Sequence, residues 1–254
     1  MGIGLTLGSG GARGLASIGV IKVLEEKNIE IDELTGSSIG AAIAAYYAVH
    51  GEITGLEKKV LSMTKTDFLK LIDFNKLKRS IIKGHKIRIF MQQTIGEHKF
   101  SDLKIPLKII STNILEGESI VFEEGDLLEA VMSSISLPGI FPPMKKEDMM
   151  LLDGGILAPT PVSYLSTRAK VGVDFTIRHE KPQTIDTFNA ISLSFTLLRT
   201  NGLEGRTDEN TVILRPNTGL ELNGLLRFDH AAQFIAAGER EAREKMDLIK
   251  ELIR

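Results

Sequence analysis

The chain has 254 residues, 43% of them hydrophobic and 25% charged, a balance that excludes disordered, collagen-like and coiled-coil proteins. A formal net charge of -2 gives no electrostatic case for nucleic acid as a partner. Cysteine is absent and the five histidines (His50, His85, His98, His179, His230) are scattered, so no disulfide, metal site, cofactor or cysteine nucleophile is expected.

In chain order, residues 3–7 read as an apolar strand that stops at glycines, and 15–27 as a helix with a broad apolar face. A second strand is expected over 29–34, then a helix from Gly40 through Tyr47. Residues 54–95 read as helical and more polar. Strands follow at 107–112 and 119–122, a short helix at 126–132, a proline-rich loop at 137–143, and a strand at 149–152. Further strands are expected at 171–177 and 211–214, with a helix near 185–199 between them, and a last helix at 229–253. Strand-length and helix-length stretches alternate without a composition break, which predicts one α/β domain over 1–254. The N-terminus lacks the basic region of a signal peptide, and the longest apolar run, 39–49, is about half of what a bilayer span needs. The chain therefore reads as cytoplasmic, with peripheral membrane contact left open.

Three loops could carry chemistry. Gly36-Ser37-Ser38-Ile39-Gly40 is a G-x-S-x-G between a predicted strand and a predicted helix, the context in which a sharp turn lifts a serine hydroxyl clear of the backbone. A small-residue turn that packs helix on strand is the alternative. Gly8-Ser9-Gly10-Gly11-Ala12-Arg13-Gly14 exposes backbone N–H groups ahead of a helix, where an anion is favoured. It lacks the Gly-Lys-Ser/Thr of a phosphate loop, and its third glycine falls one residue late for a dinucleotide fingerprint. An oxyanion hole or a plain packing turn remains, with a nucleotide-binding protein the least favoured reading. Arg13 is disfavoured by the helix dipole, so a carboxylate or a substrate phosphate should hold it.

Asp153-Gly154-Gly155 fits either a hairpin turn or a catalytic carboxylate. A serine nucleophile needs a base, and neither His179, in a charged stretch, nor His230, at a helix start, lies in an obvious strand-end loop.

Taken together, the loop 8–14, the elbow 36–40, Ser133-Ser134-Ile135-Ser136-Leu137-Pro138-Gly139-Ile140-Phe141-Pro142-Pro143, Asp153-Gly154-Gly155 and the closing helix from Phe228 resemble the patatin-like phospholipases of the compact bacterial type. The resemblance implies a three-layer α/β/α sandwich with a mainly parallel central sheet. It implies a Ser–Asp dyad that works without histidine, with Ser38 as nucleophile and Asp153 as base. Gly10 and Gly11, with Ala12 and Arg13 of the same block, would form the oxyanion hole. Two departures bear on substrate choice and lid: Ser17 stands where many bacterial relatives have histidine, and 156–161 lacks the asparagines often found before the proline. The segment 162–177 is also short.

The activity so implied is hydrolysis of fatty-acyl esters of phospholipids or lysophospholipids through an acyl-enzyme, with a general carboxylesterase or acyltransferase on the same dyad as the alternative. The expected partner is a lipid or ester substrate. Six basic residues between Lys76 and Arg88 (Lys76, Lys78, Arg79, Lys83, Lys86, Arg88), with His85 and no acid, form either a contact for an anionic lipid surface or a solvated helix face. Leu137, Ile140, Phe141 and Met144 line either an acyl-chain cleft or the core.

Overall fold

The computed structural model describes residues 2–71, 73, 83–175, 207–219 and 227–254. The helix expected near 185–199, His179 and the end of the strand expected at 171–177 lie outside them. The strands in chain order are β1 (Ile3–Leu7), β2 (Ile31–Ser37), β3 (Leu107–Asn113), β4 (Glu118–Phe122), β5 (Met144–Lys146), β6 (Met149–Asp153), β7 (Lys170–Val173) and β8 (Thr211–Leu214). The helices are α1 (Ala16–Glu26), α2 (Ile39–His50), α3 (Thr54–Ser62), α4 (Lys65–Lys70), α5 (His85–Ile95), α6 (Leu127–Ser134), α7 (Ala231–Glu244) and α8 (Met246–Leu252).

The fold is mixed α/β with a mainly parallel central sheet. β3, β2, β1, β7 and β8 lie side by side and all pair in parallel. β1 is buried along its whole length, as a strand covered on both faces must be. The two faces of the β1–β2 pair differ in chemistry. Gly36 turns toward α2, where an added Cβ would sit 2.6 Å from Ala41 Cα. Thr6 and Thr35 turn the other way, share a 2.6 Å hydroxyl bond, and Thr35 Oγ1 donates to the Pro161 carbonyl. Two helices close over the sheet by direct backbone contact. A Cβ on Gly19 of α1 would overlap the Ile235 carbonyl of α7, and one on Gly238 of α7 would overlap the Ala16 carbonyl. Glycine at both crossing points is what allows the approach.

Several boundaries differ from the sequence reading for local reasons. β2 starts at Ile31 and runs on through Gly36 and Ser37, because both still pair with Ile109 and Ile110 of β3. The helical stretch 54–95 divides into α3, α4 and α5, with Asp73 accepting the N–H groups of Gly84, His85 and Lys86 at the start of α5. The helix expected at 229–253 opens with a 3-10 turn (Phe228–His230) and breaks at Lys245, after which Met246 and Ile249 are buried in the core. Among the described residues, no helix is long and apolar enough to cross a membrane.

Candidate active site

The sheet brings two strand ends together head to head. β4 occupies one edge of β3 over Ile109–Asn113, leaving the other edge for both β2 and β6. β2 climbs that edge in parallel and stops with Ser37 opposite Ile110. β6 descends it antiparallel and stops with Asp153 opposite Ser111. The chain leaving β2 and the last residue of β6 therefore meet at one point, and those residues are Ser38 and Asp153.

Ser38 sits at the N-terminus of α2 with φ 59 and ψ -129, outside the ordinary regions for a residue with a side chain. Such a conformation costs about 1–3 kcal/mol and persists only where its surroundings hold it. Here the Ser38 carbonyl accepts from the Ala41 and Ala42 N–H groups at 2.9 and 3.3 Å, and its own N–H donates to Ser134 Oγ at 2.9 Å. Gly40 lies against the Leu7 carbonyl so closely that a Cβ would overlap it. The result is a half-buried serine whose Oγ donates to Asp153 Oδ2 at 2.6 Å.

Asp153 is 1% exposed. Its Oδ1 accepts the Gly155 N–H at 2.7 Å, and its own N–H donates to the Ser136 carbonyl at 2.9 Å. The hairpin reading of Asp153-Gly154 is overturned: after β6 the chain enters a 3-10 turn, Gly154–Ile156, and the next strand begins only at Lys170. The absent side chain of Gly154 permits the turn, since a Cβ there would overlap the carbonyl of Ile110, midway along β3.

The loop 8–14 lies beside the elbow. Gly11 adopts φ 57 and opens a 3-10 turn, Gly11–Leu15, that runs directly into α1. The helical conformation thus starts within the loop rather than after it. A Cβ on Gly14 would overlap the Ile39 side chain, so this turn packs against the first turn of α2. Among the described residues, no acceptor bonds the N–H groups of Gly10, Gly11 or Ala12. Ala12 and Arg13 are both buried.

The start of the loop is tied down from behind. The Gly8 N–H donates to the Val173 carbonyl at 3.0 Å and the Ser9 N–H to the Pro159 carbonyl at 2.7 Å. Thr160 Oγ1 donates to Asp174 Oδ1 at 3.0 Å, and Arg215 Nε to Asp174 Oδ2 at 3.2 Å. Sequence reading gave Thr160 and Asp174 no role. Nothing in a lone threonine and a strand-end aspartate signals that they flank the same loop.

Two of the described histidines are engaged elsewhere. His50 lies within hydrogen-bonding distance of the Thr94 carbonyl and edge-on to Tyr46, while His230 contacts Asp229 and Gln233 at the start of α7. Of the apolar residues expected in a cleft, Met144 lines a cavity of about 300 Å³ with Phe122, Ala130, Ser133 and Leu151, while Leu137, Ile140 and Phe141 are half-buried in the loop before β5. In the basic stretch, Lys76, Lys78 and Arg79 lie outside the described residues; Lys83, His85 and Lys86 are exposed, and Arg88 pairs with Glu129.

A mainly parallel sheet flanked by helices, with a serine at a sharp strand-to-helix turn, sets the chain in the mixed α/β class. The sequence model of the patatin-like phospholipases matches residues 5–166, and the chain belongs to that family. It is 35% identical over 175 residues to an uncharacterised NTE family protein of Mycobacterium tuberculosis, across 69% of this chain and 48% of the relative. It is also 35% identical over 175 residues to lysophospholipase NTE1 of Pyricularia oryzae, across 68% of this chain and 11% of that protein. The chain thus matches about half the length of the mycobacterial relative and a small part of the fungal one. Among solved structures, VipD of Legionella pneumophila superposes with a TM-score of 0.67 at 16% identity, over 97% of this chain and 67% of VipD. The type III effector ExoU superposes with a TM-score of 0.54 at 18% identity, over 98% of this chain and 53% of ExoU. At those identities the likeness is one of fold.

Proposed function

We propose that this chain is a serine acyl hydrolase that cleaves fatty-acyl esters of phospholipids, with lysophospholipids the first substrates to try. The observation that carries the reading is the 2.6 Å hydrogen bond from Ser38 Oγ to Asp153 Oδ2 on a strained elbow. Membership of the patatin-like phospholipases supports a lipid ester as substrate, and the fungal relatives bear the name lysophospholipase.

The chemistry follows from the positions of these groups. Ser38 Oγ attacks the ester carbonyl carbon as Asp153 Oδ2 takes its proton. The oxygen that becomes negative is held by the N–H groups of Gly10 and Gly11, with Ala12 and Arg13 in the same loop. Loss of one such donor typically costs about 3–4 kcal/mol of transition-state stabilisation. The tetrahedral adduct collapses, the carbon–oxygen bond to the leaving alcohol breaks, and that alcohol takes the proton from Asp153. Water then attacks the acyl-serine while giving a proton to Asp153, and the fatty acid leaves as Ser38 regains it. The basic stretch 76–88 serves in this reading as the contact with an anionic lipid surface.

The test is hydrolysis of p-nitrophenyl esters from two to sixteen carbons, and of a lysophosphatidylcholine, by wild type and Ser38→Ala. Wild-type activity is expected to rise with acyl length, and Ser38→Ala to fall to background. Turnover that survives Ser38→Ala overturns the assignment. Activity confined to the shortest chains would replace a lipid hydrolase by a general carboxylesterase.

A further inference from the structure

The two strand ends that carry Ser38 and Asp153 meet on β3 as the tips of separate strands. A third element touches both: the segment 133–136 at the end of α6. Ser134 is fully buried, its Oγ accepts the Ser38 N–H at 2.9 Å and it donates to the Ile110 carbonyl at 2.6 Å. Two residues later the Ser136 carbonyl accepts the Asp153 N–H at 2.9 Å. Next to Ser134, Ser133 Oγ bonds Ser111 Oγ at 2.7 Å and donates to the Ala130 carbonyl at 2.8 Å. Ile110 and Ser111 are the two β3 residues that face the ends of β2 and β6.

We propose that the segment 133–136 braces the Ser38–Asp153 pair and that Ser134 is a positioning residue for the reaction, an inference that rests on the reading of that pair as nucleophile and base. The physical argument concerns one proton and one strained torsion. A serine hydroxyl has a single hydrogen, and that of Ser134 is committed to the Ile110 carbonyl. Its lone pairs are thereby fixed in direction, and one of them takes the Ser38 N–H. Ser38 at φ 59 is under strain, and relaxing its backbone would swing Oγ away from Asp153. Ser134 fixes the N–H side of Ser38, as α2 fixes its carbonyl side. A displacement of about 1 Å between reacting groups can cost on the order of 100-fold in rate, so the brace acts on turnover rather than on lipid binding.

The experiment compares kcat and KM for a soluble ester in wild type, Ser134→Ala and Ser134→Cys, with thermal unfolding of each. The rate at which a fluorophosphonate labels Ser38 is measured beside them. Ser134→Ala is expected to lower kcat and the labelling rate together by about 10- to 100-fold, with KM within about twofold. Ser134→Cys, which keeps the shape and weakens both hydrogen bonds, is expected to fall between the two. A Ser134→Ala kcat within twofold of wild type, or a loss carried by KM alone, overturns the brace. Should Ser134→Ala not fold, Ser134→Cys is read alone: a lower kcat at unchanged KM supports the brace, and a wild-type kcat overturns it. Ser38→Ala separates the two claims, because activity that survives it sinks the dyad, whereas an inactive Ser38→Ala beside a fully active Ser134→Ala sinks only the brace.

Discussion

Two buried carboxylates on the same sheet, Glu33 near the start of β2 and Asp153 at the end of β6, solve the same physical problem in different ways. Both are almost fully removed from water, at 7% and 1% exposure, and a buried carboxylate must find donors. Glu33 takes a cation and backbone: Lys108 Nζ at 2.8 Å on one oxygen, and the Ser166 and Thr167 N–H groups at 2.6 and 3.1 Å on the other. Burial, the largest single influence, pushes its carboxyl up, but Lys108 and the two N–H groups together hold it below its ordinary range. The partners of Asp153 include the Gly155 N–H and the Ser38 hydroxyl. The Glu33 arrangement locks a charge in place and ties β2 to β3 and to the segment that leads into β7. The Asp153 arrangement points a carboxylate at a proton that, on the proposed mechanism, it takes and returns.

The largest effect that separates these roles is expected from Asp153→Asn. The amide oxygen can still accept the Gly155 N–H, so unfolding should shift little. The amide group facing Ser38 can no longer take a proton, and kcat should fall by about 10²- to 10⁴-fold. Steady-state kinetics beside a melting curve checks this, and wild-type turnover in Asp153→Asn would erase the distinction between the two carboxylates.

Glu33→Gln should do the opposite, with stability lost and kcat kept. It leaves Lys108 with a neutral partner in a largely buried setting, at a cost of about 1–3 kcal/mol at neutral pH. Because its folded value is depressed, Glu33 contributes stability above the ordinary glutamate range of about 4.3, and this is lost as pH falls through the folded value. The gap in melting temperature between wild type and Glu33→Gln should therefore be widest near pH 7 and close as the pH drops toward 3. A constant gap across that range would mean that charge has no part in it.

Much of this site was legible in the sequence as separate pieces, and its assembly was not. The elbow was readable because G-x-S-x-G stands between a strand and a helix, and the structure gives both, with the glycine of Gly40 pressed on Leu7. The strand at 211–214 was readable because its apolar run is short and bounded by polar turns. Asp153-Gly154 was ambiguous, since a hairpin and a strand-end turn use the same two residues; what decides is the Ile110 carbonyl against Gly154, 44 positions away in sequence and invisible to local pattern. The sharing of one β3 edge by β2 and β6 depends on where each strand stops, which local propensity does not encode. Ser134 belonged to a block recognised as a whole, yet nothing marks one serine among three as the acceptor for the Ser38 N–H.

A third carboxyl sharpens the comparison through the smallest expected effect. Glu25, half-buried near the end of α1, accepts the Ile53 N–H at 3.2 Å and a hydrogen bond from the Tyr47 hydroxyl, and no cation pairs with it among the described residues. Burial raises its carboxyl, and the two hydrogen bonds only partly offset that. The same neighbourhood pushes Tyr47 up to about 12, chiefly by burial and then by the Glu25 charge. With a raised folded value the sign reverses relative to Glu33: stability is fully present below the ordinary glutamate range and is lost as pH rises through the folded value. Glu25→Gln should therefore leave the protein unchanged near pH 4 and raise its melting temperature at pH 7, by no more than about 2 °C. Melting curves of wild type, Glu33→Gln and Glu25→Gln at both pH values decide it. If Glu25→Gln destabilises at pH 7 as Glu33→Gln does, its hydrogen bonds outweigh its burial, and a lysine is then not what separates a buried carboxylate that stabilises this fold from one that does not.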